Sequence, residues 1–420
     1  MSLVSGWFPV TVVVFAVVAV VVCVPWEAPA RWRIALWALI GGTLATCAVI
    51  GIVDGFGLLA WPVPWTFDLW LGGVLLSIAV GVTAWRHLRW RRLMVPVAVV
   101  LSLAAAGTLV NADYGYFPTW QALTDPVPDN ATLQSVEAER AHDGVTEVGD
   151  HATAHGVLLE LSIPGAVSHF AARPAWMWLP PTYLASPHLS LPTVELLAGS
   201  PGSTVDWLRG GNAARTADAF AAAHHGVAPI LVMPDDNGSL TTDTECVDGP
   251  QGAALTYLTV DVPAWVRATF QAATGPSSLA VAGLSEGGTC AAMLALSHPS
   301  EYAAFGDYSG LAAPTVASVV DPGPTIRQLF GGSAARYLRH DPVALLRTSH
   351  FPGLGGWFEC GRRDPASWHD QAELVPLARR AGLDVVDRVV AGRGHDFTLW
   401  TQAFAQSLPF LAAHLDDRTT

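Results

Sequence analysis

The chain has 420 residues, 51% of them hydrophobic and only 14% charged, with a formal net charge of −13. That length exceeds one compact domain and favours two units, while a soluble protein of this size carries about a quarter charged residues. The acidic balance excludes a nucleic-acid-binding protein, which needs a basic face.

The imbalance is local. Every basic residue is an Arg, and before Asn111 only Arg31, Arg33, Arg86, Arg89, Arg91 and Arg92 occur, with Glu27, Asp54 and Asp68 as the only acids. Apolar runs occupy residues 8–24, 34–53, 69–85 and 93–110. Each approaches the roughly 17–25 residues that cross a bilayer core. Four in succession with short loops read as a four-helix transmembrane region rather than as buried core helices. Arg31 and Arg33 lie in the first loop and Arg86, Arg89, Arg91 and Arg92 in the third, whereas the second holds Phe56, Trp61, Trp65 and Phe67 and no Arg. The excess of cations in cytoplasmic loops then puts both ends of the region outside. The first run lacks the positive leader of a signal peptide.

Residues 112–150 read as a polar, Pro-containing juxtamembrane linker with a short helix near 132–141. Beyond it, short apolar strands alternate with helices. Strands are predicted at 157–163, 175–179, 193–197, 229–233, 278–282, 303–307, 357–360 and 385–390, and helices at 213–224, 262–273, 286–297, 367–381 and 397–415. This alternation predicts a mostly parallel sheet covered on both faces, with a site beyond the carboxyl ends of its strands. Of the cysteines in this part, Cys246 and Cys290 are the preferred disulfide pair, which an outer compartment permits; free buried thiols are the alternative.

Gly283-Leu284-Ser285-Glu286-Gly287-Gly288 lies between a predicted strand and helix. A serine hydroxyl reacts only when held exposed and relieved of its proton. A strand–turn–helix elbow does the first, and it aims the N–H of Glu286 at a developing oxyanion. The base is expected downstream, and His395 in Gly392-Arg393-Gly394-His395-Asp396-Phe397 falls between the last strand and the last helix. His298, His340, His350 and His369 are less suitably placed. The acid that orients an imidazole is expected at Asp364, with Asp341 and Asp307 as rivals. The second oxyanion donor is expected from Leu196-Leu197-Ala198-Gly199-Ser200-Pro201-Gly202. Ser200 is chosen because Pro201 has no N–H.

Asp235-Asp236-Asn237-Gly238, with Asp243 and Glu245, forms an acidic loop that could hydrogen-bond sugar hydroxyls. A calcium loop would need a further spaced carboxylate, and no metal site is expected. Asp235, Asp243 and Trp400 are the expected substrate contacts. A solvated loop is the plainer reading of the acids.

Taken together, the pieces Leu179-Pro180-Pro181-x-Tyr183, Leu196-Leu197-Ala198-Gly199, Gly283-Leu284-Ser285-Glu286-Gly287-Gly288 and Gly394-His395 with Trp400 resemble a known esterase family. It includes feruloyl esterases, S-formylglutathione hydrolase and the antigen 85 mycolyltransferases. Gly115-Tyr116-Phe117-Pro118-Thr119 and Asp243-Thr244-Glu245-Cys246-Val247-Asp248 resemble its membrane-anchored actinobacterial members. The resemblance implies a transmembrane anchor (1–111), a linker (112–150) and an extracytoplasmic α/β-hydrolase domain (151–420). It implies Ser285, Asp364 and His395 as a catalytic triad, Ser200 and Glu286 as oxyanion donors, and no cofactor. Ester-linked acyl groups would be the substrate, with a glycolipid or sugar acceptor and the lipid bilayer as partners. Ala198 and Cys360 depart from the family pattern. A catalytically silent envelope-binding protein on the same fold is the alternative from another class.

Overall fold

The computed structural model describes residues 2–24, 26, 31–55, 65–85, 93–124, 127, 132–135, 155–185, 189–240, 242–275, 277–316 and 321–415. The chain divides into two compact units, Met1–Asp125 and Pro126–Thr420.

The first unit contains helices α1 (Trp7–Cys23), α2 (Arg31–Gly55), α3 (Trp65–Ala84) and α4 (Met94–Tyr114). α1 packs on α4, α2 on α3 and α3 on α4. Small residues let them approach: a Cβ on Gly42 would stand 3.0 Å from the Leu76 backbone. Cys23, Ala38, Val80 and Ala98 meet in the interior, while Trp32, Trp37, Leu44, Val82 and Leu103 are more than half exposed. Among the described residues, Arg31–Ile52 and Met94–Tyr114 are long and apolar enough to cross a bilayer, and Trp7–Cys23 and Trp70–Thr83 are shorter apolar stretches. The Arg-bearing loops and the aromatic loop between α2 and α3 lie almost wholly outside the described residues. α4 runs past the expected boundary to Tyr114, and Gly115 ends it in the left-handed conformation at φ 68°. Asn111 then ties down the following turn, donating to the Phe117 carbonyl at 2.8 Å and accepting its N–H at 2.7 Å. Of the expected linker helix, only residues 133–135 are described as helical.

The second unit is built on an eight-stranded sheet. Its strands are β1 (Val157–Leu161), β2 (Ala175–Leu179), β3 (Thr193–Leu197), β4 (Ile230–Met233), β5 (Leu279–Leu284), β6 (Ala304–Tyr308), β7 (Gly355–Gly361) and β8 (Asp384–Val390). Their spatial order is β1-β2-β4-β3-β5-β6-β7-β8. β2 is antiparallel to both its neighbours, and every other pairing is parallel. All six residues of β5 are buried, whereas β8 at the edge is mostly exposed. Burial of both faces is what a near-continuous apolar strand indicates.

The crossovers carry α5 (Ala213–Ala223), α6 (Val262–Phe270), α7 (Glu286–Ser297) and α8 (Pro365–Arg380), and α9 (Phe397–His414) closes the chain. α7 is buried along almost its whole length, which its Gly-Gly-Thr-Cys-Ala-Ala start permits by letting the helix lie close on the sheet. Three short helices, Gly323–Phe330, Ala334–Leu338 and Pro342–Thr348, fill the stretch before β7 where none was predicted.

From β3 the chain crosses to β4 on one side, and from β5 it crosses to β6 on the other. The loops leaving β3 and β5 therefore part company above adjacent strands, opening a crevice at the point where open α/β sheets bind ligands.

Candidate active site

Ser285 occupies that crevice. It sits between β5 and α7 with φ 59° and ψ −124°, a conformation that costs a non-glycine residue about 1–3 kcal/mol and persists only where its surroundings impose it. Two glycines impose it here. A Cβ on Gly283 would fall 1.9 Å from the Gly287 carbonyl oxygen, and one on Gly287 would fall 2.2 Å from that of Ala198. The turn can tighten only because both side chains are missing. The Ser285 N–H donates to Tyr308 O at 2.9 Å, fixing the turn to β6.

His395 arrives on the loop between β8 and α9. Asp396 anchors that loop by accepting from Gly394 N at 2.9 Å and Leu399 N at 2.9 Å, the latter as the N-cap of α9. The His395 Nε2 lies 2.8 Å from Ser285 Oγ, and its Nδ1 lies 2.6 Å from Asp364 Oδ2. Trp400 meets the imidazole edge to face at 4.9 Å and is itself buried. Asp364 caps α8 through Ser367 N. Burial works to raise its pKa, but the hydrogen bond and charge of His395, with the Ser367 contacts, outweigh burial and hold it below the ordinary value. The arrangement is a hydroxyl, an imidazole and an ionised carboxylate in one hydrogen-bonded line, which can pass the serine proton to nitrogen and stabilise the imidazolium that results.

The rivals are placed elsewhere. Asp341 caps the short helix Pro342–Thr348. Asp307 lies beneath the elbow, accepts Gly310 N at 2.7 Å and is pushed up to about 7 by burial. His298 bonds to Ser297, His340 to the Arg336 carbonyl and His369 to Asp370, while His350 packs over Gly382. Cys360 is buried next to the Asp364 turn, and burial first, then the charge of Asp364, raises its thiol to about 12. It is a packing residue.

Ser200 lies in the turn after β3, joined to Pro201 by a cis peptide. The turn closes on the serine: a Cβ on Gly199 would be 3.0 Å from Ser285 Cβ. Glu286 follows Ser285 directly and opens α7. Glu286 thus adjoins Ser285 in the chain, and Ser200 follows the glycine that touches it.

Of the expected substrate contacts, Asp235 and Trp400 are enclosed. Asp235 is fully buried, and Arg173 engages it through Nη2 at 2.6 Å, Nε at 3.0 Å and its backbone N at 2.6 Å. With Gly238 N also donating to it, its oxygens have no face left for a sugar hydroxyl. Trp400 is 3% exposed, so its ring braces His395 rather than lining an open surface. Asp243 is half-buried, and burial pushes its carboxyl up to about 6. Cys246 and Cys290 form a disulfide across 44 positions, and Cys23, Cys47 and Cys360 are free. Sequence reasoning missed Arg173, which carries no motif, and the bond of Asn237 to Glu286. Asp396 could have been found, because an Asp just before an apolar helical run is a capping signal.

A model of the Esterase family matches residues 172–411. An uncharacterized protein of Corynebacterium glutamicum is 32% identical over 400 residues, covering 91% of this chain and 89% of that one. The diacylglycerol acyltransferase/mycolyltransferase Ag85A of Mycobacterium tuberculosis is 28% identical over 159 residues, 34% of this chain, so the match spans only 45% of Ag85A. Among solved structures, an S-formylglutathione hydrolase from Agrobacterium tumefaciens superposes with a TM-score of 0.53 at 17% identity over 63% of this chain and 97% of its own. At that identity the likeness shows the fold alone, an α/β-hydrolase.

Proposed function

The chain belongs to the Esterase family, and on that premise we propose that it is a membrane-anchored serine ester hydrolase or acyltransferase working through an acyl-enzyme on Ser285. The observation that carries the reading is the line Asp364–His395–Ser285, with contacts of 2.6 and 2.8 Å.

In the proposed cycle His395 Nε2 takes the Ser285 Oγ proton as the oxygen bonds to an ester carbonyl carbon. The carbonyl oxygen becomes an oxyanion facing the N–H groups of Glu286 and Ser200, where one preorganised donor is worth about 10²–10³ in rate. Collapse breaks the ester bond, His395 returns its proton to the leaving alcohol, and the acyl group remains on Ser285. A second acceptor, water or a sugar hydroxyl, repeats the sequence in reverse and frees the serine. Asp364 stays ionised throughout and holds the imidazole tautomer.

Four apolar helices with large exposed hydrophobic side chains support a bilayer location for the first unit, since a water-soluble surface seldom carries a contiguous apolar patch of that size. The Arg-bearing loops support a cytoplasmic side at the first and third loops. The Cys246–Cys290 bond fits an oxidising compartment for the second unit. The partial match to a mycolyltransferase supports cell-envelope glycolipid acyl groups as the substrate class.

A fluorophosphonate probe tests the reading. Labelling of the wild-type chain that disappears in Ser285→Ala supports it, and a wild-type chain that stays unlabelled and turns over no ester overturns it.

A further inference from the structure

The proposed acyl-enzyme cycle asks two backbone N–H groups, on Ser200 and Glu286, to face one oxyanion, and the inference drawn from their setting rests on that cycle. The two belong to separate turns, one after β3 and one after β5. Neither turn's own sequence fixes the spacing between them. A third turn, residues 235–238 beyond β4, is tied to both, to the first through Arg173 and to the second directly.

On one side, Asp235 gathers the guanidinium of Arg173 through Nε at 3.0 Å and Nη2 at 2.6 Å. With two nitrogens of the planar fork so held, the third, Nη1, donates to the Gly202 carbonyl at 2.9 Å. Gly202 lies in the turn that bears Ser200. That turn is tightly folded, for a Cβ on Gly202 would stand 2.3 Å from the Gly199 carbonyl oxygen, so fixing one of its carbonyls fixes the rest.

On the other side, buried Asn237 donates from Nδ2 to Glu286 Oε2 at 2.8 Å and accepts Thr244 N on Oδ1 at 2.7 Å. The amide is thereby locked in orientation. The disulfide fastens the same segment to α7 through Cys290.

A buried carboxylate paired with a half-buried Arg, and a buried amide, could be satisfied at many places in a fold. Here their outward bonds end on the two donor-bearing turns. We propose that the 235–237 turn is a positioning element that sets the spacing of the two oxyanion donors, through Arg173 on the Ser200 turn and through Asn237 on Glu286. Neither is a catalytic residue: Arg173 acts through the Gly202 carbonyl and Asn237 through the side chain of Glu286. A shift of about 1 Å in such a constellation can cost about 10²-fold in rate.

The test uses the full chain in detergent. Arg173→Lys keeps the charge but loses the fork that reaches Asp235 and Gly202 together, and Asn237→Ser removes the bond to Glu286. Turnover of p-nitrophenyl butyrate is expressed per Ser285 titrated to completion with a fluorophosphonate, which separates misfolded protein from misplaced donors. Both variants are expected to lose about 10–100-fold in kcat per titrated serine. KM should stay within about threefold, because the lost contacts act in the transition state. A trifluoromethyl ketone, which forms a tetrahedral adduct, should weaken in parallel. Wild-type kcat per titrated serine in both variants, or a loss confined to the number of titratable serines, overturns the inference. A wild-type chain without ester turnover or labelling overturns the proposed function and this inference with it.

Discussion

Gly361 and Arg393 lie backbone to backbone: a Cβ at 361 would stand 2.4 Å from the Arg393 carbonyl oxygen, the same oxygen that accepts Arg363 N at 2.8 Å. The end of β7 and the loop after β8 are thus in direct contact, and they carry Asp364 and His395 respectively. The carboxylate–imidazole bond is set by this approach as much as by the two side chains.

Gly361→Ala should therefore push the His395 loop away from the Asp364 turn. Overpacking of this kind costs about 1–3 kcal/mol of stability, and the displaced imidazole should lower ester turnover about 10–100-fold. Kinetics on the folded fraction check it. Unchanged kcat would mean that the loop has freedom to yield without moving the ring.

Loss of His395 should be at least as severe as loss of Asp364. His395→Ala removes the proton acceptor, and members of such a unit typically cost about 10⁴–10⁶-fold in kcat. Asp364→Asn retains an oxygen that can cap α8 while losing the charge and tautomer control, and it should cost about 10⁴-fold with little change in thermal midpoint. Near-normal turnover of p-nitrophenyl esters by His395→Ala would remove His395 from the mechanism.

Burial first, then the charges of Asp243, Asp236 and Glu245, raises Glu286 well above the usual carboxylate range. A folded pKa above the unfolded one makes the stability contribution complete below the unfolded value, about 4.3. It is lost as pH rises toward the folded value, because the unfolded chain then binds fewer protons. The thermal midpoint should accordingly fall from acid to neutral pH. Glu286→Gln, which mimics the protonated carboxyl in shape and hydrogen bonding, should flatten that slope and raise the midpoint near pH 8 by a few degrees. Thermal scans across pH read it directly, and an unchanged slope contradicts the assignment.

The proposed orientation predicts that a protease added to intact spheroplasts digests the chain beyond Asn111 and leaves the first unit largely whole. Full protection of the second unit would place it on the cytoplasmic side.

The elbow was legible because its chemistry is local: glycines around one serine, a strand before and a helix after. The eight strands could be read from short apolar runs, including the buried β5. His395 and Asp364 were legible by position relative to the strands, although His395 is 110 residues from Ser285. Asp235 was misread because a carboxylate in a loop looks solvated until its partner is known. That partner, Arg173, is 62 positions away and marked by nothing around it. The helices of residues 323–348 were missed because each is a few turns or fewer, too short for an apolar period to establish itself. In the first unit, hydropathy showed four runs, and each coincides with a helix of 17 to 25 residues.

The central claim is a covalent bond between Ser285 Oγ and an acyl carbon. Wild-type chain mixed with p-nitrophenyl butyrate, quenched in acid during turnover and digested should yield the peptide containing Gly283 to Gly288 with one butyryl group on Ser285. Steady ester turnover with that peptide unmodified, or with the acyl group on another residue, would contradict it.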